Sequence, residues 1–319
     1  MKSVAVNALI HEKANRYSQI LREIRIKESF YVKASAFGNW GLDNPPLKGA
    51  LFHFVVEGTA QIEDKKGNFI ALQKGDFVLL PKGNRHFLRS DEDANIENFE
   101  SVEMKPLGEN ASEMQLGTMG ERSILICGGL SFDPSWHPLI ETLPSLLIQR
   151  ASEQSGALHT STLMEMMNSE VHSEMPGSEI VINRLSEVLV VSALRNWMIE
   201  GTNNDTSWIV ALRDEFLGHS LVQIHTAPQN DWSVASLAKE AKMSRSVYAE
   251  KFHKLIGMPP MHYVTRIRMN LAADKLRQTT QTVERIALEV GYESAISFNR
   301  AFKRYWGEPP GRFKAHQAE

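Results

Sequence analysis

The chain holds a single cysteine, Cys127, among its 319 residues. One thiol cannot close an internal disulfide, so cysteine usage fits a reducing compartment. Long apolar runs are also missing. The longest, VLVVSAL at 188–194, falls far short of the roughly 20 residues a membrane-spanning helix needs. The opening MKSVAVNALIHEKANRY has an apolar stretch too short and too soon interrupted for a signal peptide. A cytoplasmic protein with no membrane partner is expected. No glycine loop of the P-loop or dinucleotide kind is present. No Ser/His/Asp or Cys/His nucleophile arrangement is recognisable from spacing. An enzyme of those classes is therefore not expected.

What is present is ordinary in bulk and uneven in charge. At 42% hydrophobic and 23% charged residues the composition is that of a soluble globular protein. The length exceeds one typical core and predicts two domains. The net charge of −3 hides an asymmetry: residues 232–319 carry 15 Lys and Arg against 8 Asp and Glu (+7), the remainder 20 against 30 (−10). A basic segment on an acidic body points to a polyanion partner for the C-terminal part alone.

Residues 17–25 have the apolar spacing of a helix. From 29 to 105 short β-rich pieces alternate with turn signals such as Asp43-Asn44-Pro45-Pro46 and Pro81-Lys82-Gly83-Asn84. Many short strands predict a sandwich or barrel. NFESVEM (98–104) reads as one of these strands and RSILICGGLSF (122–132) as one more; 106–121 reads as a loop. From about 137 the pattern turns helical. EIVINRLSEVLVVSALRNWMIE (179–200) is apolar almost all round, which requires burial on more than one side or a dimer contact. GTNNDTS (201–207) is a polar linker. The predicted domains are 1–204 and 205–319, and the fold class is α+β: a β-barrel with a helical dimerisation segment, then an all-α domain.

The all-α part reads as one helix near 211–225, then two helix-turn-helix units. In the first, Ser233 caps a short helix, AKMS turns, and Ser244 caps a second helix with Val247, Tyr248, Phe252 and Leu255 at core spacing before Gly257 stops it. In the second, Thr282 caps, Gly291 turns, and Ser294 caps a helix with Phe298, Ala301, Phe302 and Tyr305. Between them PPMHYVTRIRMNLAADKLRQT reads as one helix, roughly 27 Å long at about 1.5 Å per residue. A rigid spacer of that length sets two recognition helices in successive major grooves, roughly 34 Å apart. Two such units in tandem within the basic part of the chain are far more specific than either alone.

IALEVGYESAISFNRAFKRYWGEPPGRFK, with LAKEAKMSRSVYAEKFHKLIGMPP before it, resembles the DNA-binding domain of the AraC/XylS transcription regulators. Lys242 stands where that family usually has a turn glycine. The resemblance places base-facing positions at Arg245, Ser246, Ala249 and Glu250, and at Ala295, Ile296, Ser297, Asn299 and Arg300. Arg can fork onto guanine, Asn onto adenine, and Ala or Ile can meet a thymine methyl. Glu250 either accepts from cytosine or pairs with Lys254 one turn on. Lys303, Arg304, Arg312 and Lys314 are the candidate phosphate contacts, which fix register and not sequence.

KGALFHFVVEGTAQI and LQKGDFVLLPKGNRHFL resemble the two cupin motifs of the sensor domains joined to many AraC-family regulators. Where metal-binding cupins begin with His-x-His, this chain has Leu51 in the first place. His53, Glu57 and His86 match the other three ligand positions. They read either as ligands of a divalent metal or as groups that satisfy one another in a polar pocket. Phe37, Trp40, His53, Glu57 and His86 are the candidate effector-binding residues. The resemblance implies a homodimeric regulator, more often an activator in this family, with a small effector, double-stranded promoter DNA and RNA polymerase as partners. No cofactor is expected apart from that metal. The alternative is a metal-dependent cupin oxygenase or isomerase with a DNA-binding appendage.

Overall fold

The computed structural model describes residues 15–63, 67–151, 160–173, 175–200 and 207–315. The chain divides into two compact units, Ile24–Thr202 and Met1–Glu23 with Asn203–Glu319. The expected boundary at 204/205, and the linker apart from Ser207, lie outside the described residues.

After a helix over 15–22 (α1) come eight strands, β1 (Arg25–Phe37), β2 (Gly41–Asn44), β3 (Ala50–Glu57), β4 (Thr59–Glu63), β5 (Phe69–Gln73), β6 (Phe77–Leu80), β7 (His86–Arg89) and β8 (Ile96–Asn98). Then follow β9 (Lys105–Gly108), β10 (Ala111–Leu116), β11 (Arg122–Asp133), α2 (Pro138–Thr142), β12 (Leu147–Gln149), α3 (Thr160–Ser173) and α4 (Ser178–Glu200). The expected barrel is a sandwich of two open sheets among the described residues: β12-β6-β3-β11-β1-β10-β9 and β5-β4-β7-β2-β8.

The register explains the core. Val78, His53, Cys127 and Val32 are successive cross-strand partners on β6, β3, β11 and β1. Val78, Cys127 and Val32 share one apolar cluster with Leu42, Ile62, Leu72 and Leu88 of the smaller sheet. That row therefore faces between the sheets, and His53 with it. Each fully buried aliphatic side chain there contributes about 1.5–3 kcal/mol.

Two readings of this region are corrected. Residues 106–121 are not a loop: β10 pairs in parallel with β1, with Ala111, Met114 and Leu116 buried. Its short apolar alternation between Gly108 and Gly117 hides a strand completed by distant partners. NFESVEM is not one strand either. Only Asn98 is in β8, and Phe99–Ser101 is a 3₁₀ turn in which the Asn98 side chain accepts from the Glu100 N–H. Helix α4 packs on β1, β6, β12 and α3. It is not covered all round: Ile180, Val181, Val188, Val191 and Ile199 are exposed.

The second unit is helical: α1, then α5 (Ser207–Arg213), α6 (Leu217–Thr226), α7 (Val234–Glu240), α8 (Arg245–Ile256), α9 (Pro260–Gln278), α10 (Val283–Glu289), α11 (Ala295–Trp306) and α12 (Pro310–Ala315). The helix expected over 211–225 is broken because the Asp214 carboxylate accepts from the Leu217 and Phe216 N–H groups, at 2.9 and 3.2 Å, and starts a new helix. Met269, Ala273 and Leu276 of α9 pack on Ile286, Phe298 and Phe302, while α9 also presents Tyr263 edge-on to Phe252 of α8, 5.6 Å between centroids. The buried Arg16 of α1 donates to the Asp214 carbonyl at 2.7 Å.

Candidate nucleic-acid interface and sensor cavity

Both helix-turn-helix units are built by the caps the sequence predicts. The side chains of Ser233, Ser244, Thr282 and Ser294 each accept the backbone N–H three residues on. Gly257 and Gly307 end α8 and α11 in the left-handed region, at φ 80° and 85°. The two turns use the same hydrogen bonds. Lys242 N–H donates to Lys239 O at 3.0 Å and Met243 N–H to Ala238 O at 2.9 Å. Gly291 N–H donates to Leu288 O and Tyr292 N–H to Ala287 O at the same distances. Gly291 has φ 85° and Lys242 φ 50°, so the lysine occupies a glycine conformation.

This scaffold aims the open faces of α8 and α11. Arg245, Ser246 and Glu250 are exposed on α8, and Ala249 is half-buried. Among the described residues Glu250 makes no ion pair, so Lys254 does not hold it back. On α11 Ile296 is 68% exposed, with Arg300, Lys303 and Arg304 open around the same helix. Ala295 is half-buried. Ser297 is exposed, but its hydroxyl donates to Ser294 O at 2.9 Å and receives the Ser294 hydroxyl at 3.0 Å, so it serves the cap. Asn299 is half-buried and its amide donates one N–H to Ala295 O at 2.7 Å, which leaves its second N–H and its Oδ1 for a base. Arg312 is exposed beside Glu308 at 3.8 Å. Lys314 donates to Gln281 O at 2.5 Å and ties α12 to the start of the second unit.

Two residues read as core are on the surface. Val247 is 53% and Tyr305 41% exposed. Each lies at helical spacing from buried neighbours, and only the three-dimensional packing separates them.

In the sandwich the two sheets meet through histidines. His53 of β3 and His86 of β7 stand Nε2 to Nε2 at 2.7 Å, and both are buried. His86 Nδ1 lies 2.9 Å from Asn84 O, which can only accept, so His86 carries its proton on Nδ1. Burial holds both imidazoles below their ordinary pKa, with the His86–Asn84 bond partly opposing the shift at His86. In the neutral pair His86 Nε2 accepts and His53 Nε2–H donates. His53 Nδ1 is left as a buried acceptor with no partner among the described residues.

The three candidate metal ligands do not come together. Glu57 is half-exposed, its carboxylate 4.0 Å from both Arg122 and His172. The 2.7 Å between the histidine nitrogens is a hydrogen bond; two nitrogens on a tetrahedral zinc at about 2.0–2.1 Å would stand about 3.3 Å apart. The donor set does not fit a three-ligand metal site: the two histidines bond to each other through Nε2, and His53 Nδ1 is left over.

Beside them, between the sheets, is a half-open cavity of about 90 Å³. Phe30, Val32, Leu47, Leu51 and Phe99 are among the residues that line it, with Asn44, His53 and Cys127. Of the candidate effector residues only His53 lines it. Trp40 is packed in the core shared by the sheets. Phe37 is half-buried at the far end of β1. His86 borders a separate small cleft with Glu63, Asn84 and Arg85. Sequence reasoning missed Asn44, Leu47 and Phe99: Asn44 and Leu47 flank the Pro45-Pro46 turn, and Phe99 lies in the 3₁₀ turn that the sequence reads as strand. Cys127 is buried, and desolvation pushes its thiol up to about 12, which suits an inert wall residue.

A cupin family model matches residues 16–199, more than half of the chain, and a helix-turn-helix domain model matches 237–316. The chain belongs to the cupin family and is a transcription regulator of the AraC type. The regulator is 27% identical over 305 residues to the HTH-type transcriptional regulator AlkR of Acinetobacter baylyi, covering 93% of this chain and 98% of that one. It is 31% identical over 198 residues to an AraC-like transcription regulator of Streptomyces lividans, covering 62% of this chain and 65% of the other, just under two thirds. With RclR of Escherichia coli, named an RCS-specific HTH-type transcriptional activator, it shares 28% identity over 209 residues, 65% of this chain and 73% of that one. The regulator binds DNA, and the helix-turn-helix match spans both recognition helices. No described helix is long and apolar enough to cross a membrane.

Proposed function

We propose that this regulator is a cytoplasmic homodimeric activator that reads promoter DNA with α8 and α11, engages RNA polymerase there, and takes its signal from a small molecule in the sandwich cavity. The cavity carries the reading. A core of this size ordinarily closes to native density, whereas here a cavity of about 90 Å³ stays open between the sheets, room for several water-sized spheres and so for a small molecule. Effector binding would act by favouring one arrangement of the DNA-binding units over another.

The exposed face of α4 supports the dimer. Ile180, Val188, Val191 and Ile199 are large apolar side chains in water on one helix of 23 residues. A second copy of the same face would bury them across a two-fold axis. The recognition helices are joined by the 19-residue α9, about 28 Å at 1.5 Å per residue, a length suited to adjacent major grooves.

Footprinting of the full chain on its own upstream region tests this reading. A dimer is expected to protect two half-sites, each covering two successive major grooves on one face of the DNA. Val188→Asp is expected to leave a monomer by sedimentation and to shorten the protected region to one half-site. A wild-type monomer in solution, or an unchanged footprint in the variant, would overturn the dimer.

A further inference from the structure

We infer that the sandwich cavity takes a neutral, mostly apolar small molecule bearing one hydroxyl or N–H donor, and that His53 Nδ1 accepts that donor. The inference rests on the cavity's being the effector site and adds the ligand's chemistry.

The polarity is fixed by a chain of hydrogen bonds that begins at a carbonyl. Asn84 O can only accept, so His86 Nδ1 donates to it at 2.9 Å. His86 Nε2 is then bare and accepts from His53 Nε2–H at 2.7 Å. His53 therefore offers an acceptor, and not a donor, at Nδ1. Among the described residues that atom has no partner, and the residue is 1% exposed. A buried polar atom left unpaired costs stability that a bound donor would restore. His86, which holds the other edge of the ring, does not line the cavity; His53 does.

The rest of the wall narrows the class. Its side chains are chiefly aliphatic and aromatic, which rewards apolar carbon and penalises charge. Among the described residues no Lys, Arg, Asp or Glu lines it, so an anion or cation would be desolvated without compensation. The Asn44 amide, on the same cavity, sends one N–H to Leu42 O at 3.3 Å. It has a second N–H to give, so a hydroxyl could donate to His53 and accept from Asn44. A polyol would leave further hydroxyls against carbon.

The test is calorimetric titration of the full chain with matched pairs: 4-ethylphenol and ethylbenzene, benzyl alcohol and toluene, cyclohexanol and cyclohexane. The hydroxyl member of at least one pair is expected to bind about tenfold or more tighter than its partner, the loss of one hydrogen bond to a buried acceptor. Leu51→Trp, which fills the cavity, is expected to abolish that binding. In protein labelled with 15N-histidine, the non-protonated His53 Nδ1 resonance is expected to shift with 4-ethylphenol and not with ethylbenzene. Hydroxyl and deoxy members binding equally, no member binding, or an unmoved Nδ1 resonance would each overturn the inference. Tight hydroxyl binding that leaves promoter affinity unchanged would support the ligand chemistry and refute the effector reading separately.

Discussion

Lys242→Gly is expected to stabilise the DNA-binding unit, against the usual trend of single substitutions. Lys242 sits at φ 50° in a turn whose counterpart in the second unit is Gly291 at φ 85°, and both turns make the same two hydrogen bonds. A side chain in the left-handed region costs roughly 1–2 kcal/mol. Glycine returns about 0.5–1 kcal/mol of this through its freer unfolded chain. Among the described residues Lys242 makes no ion pair or side-chain hydrogen bond that the change would forfeit. The net gain is about 0.5–1 kcal/mol, a rise of about 3–6 °C in the melting temperature of a unit this size. Calorimetry of the full chain with and without the substitution measures it on the transition of the helical unit. A lowered or unmoved transition would refute the account of the turn. The reverse change, Gly291→Lys, is expected to destabilise by more, because a Cβ there would stand 2.8 Å from the Gln229 backbone.

Three further outcomes follow from the geometry. Specific affinity is expected to fall steeply with salt, and Arg304→Ala to flatten the slope of log K against log salt by about 0.9, with similar weakening on unrelated DNA; an unchanged slope would remove Arg304 from the phosphate contacts. The sandwich is expected to lose stability as pH falls below the ordinary histidine pKa, about 6.5. Burial lowers the folded-state pKa of His53 and His86, so the unfolded chain binds protons first. Each such group removes up to about 1.4 kcal/mol per pH unit until its folded pKa is reached. A melting temperature flat between pH 7 and 5 for the sandwich transition would contradict the neutral pair. Phe252→Ala, at the contact between α8 and Tyr263, is expected to cost about 3–5 kcal/mol and abolish DNA binding through unfolding, which circular dichroism would show.

Much of the DNA-binding unit was legible because its signals are local. Ser233, Ser244, Thr282 and Ser294 lie within four residues of the groups they cap, and Gly257 ends its helix by its own φ. The sandwich was legible in class and not in pairing. β10 is a strand because β1, about 80 residues earlier, lies beside it, and nothing in ASEMQL announces that partner. Residue identity at the site followed the same division. Arg245 and Arg300 could be placed from the caps that begin their helices. The His53–His86 pair could be suspected from motif spacing, but its direction depends on the Asn84 carbonyl. The split of Val247 from Tyr248, one exposed and one buried, depends on where α5 packs against α8, which periodicity alone does not tell.

The central claim is that α11 reads base edges with Arg300. The most direct measurement is a paired titration of wild-type and Arg300→Ala protein on an operator selected from random DNA and on unrelated DNA of equal length. Arg300 is exposed, so the variant is expected to fold. Its specific affinity is expected to fall by about 1–3 kcal/mol, roughly 5- to 150-fold, with little change on unrelated DNA. Equal affinity of the two proteins for the operator, or equal weakening on both DNAs, would contradict the assignment of α11 as the base-reading helix through this residue.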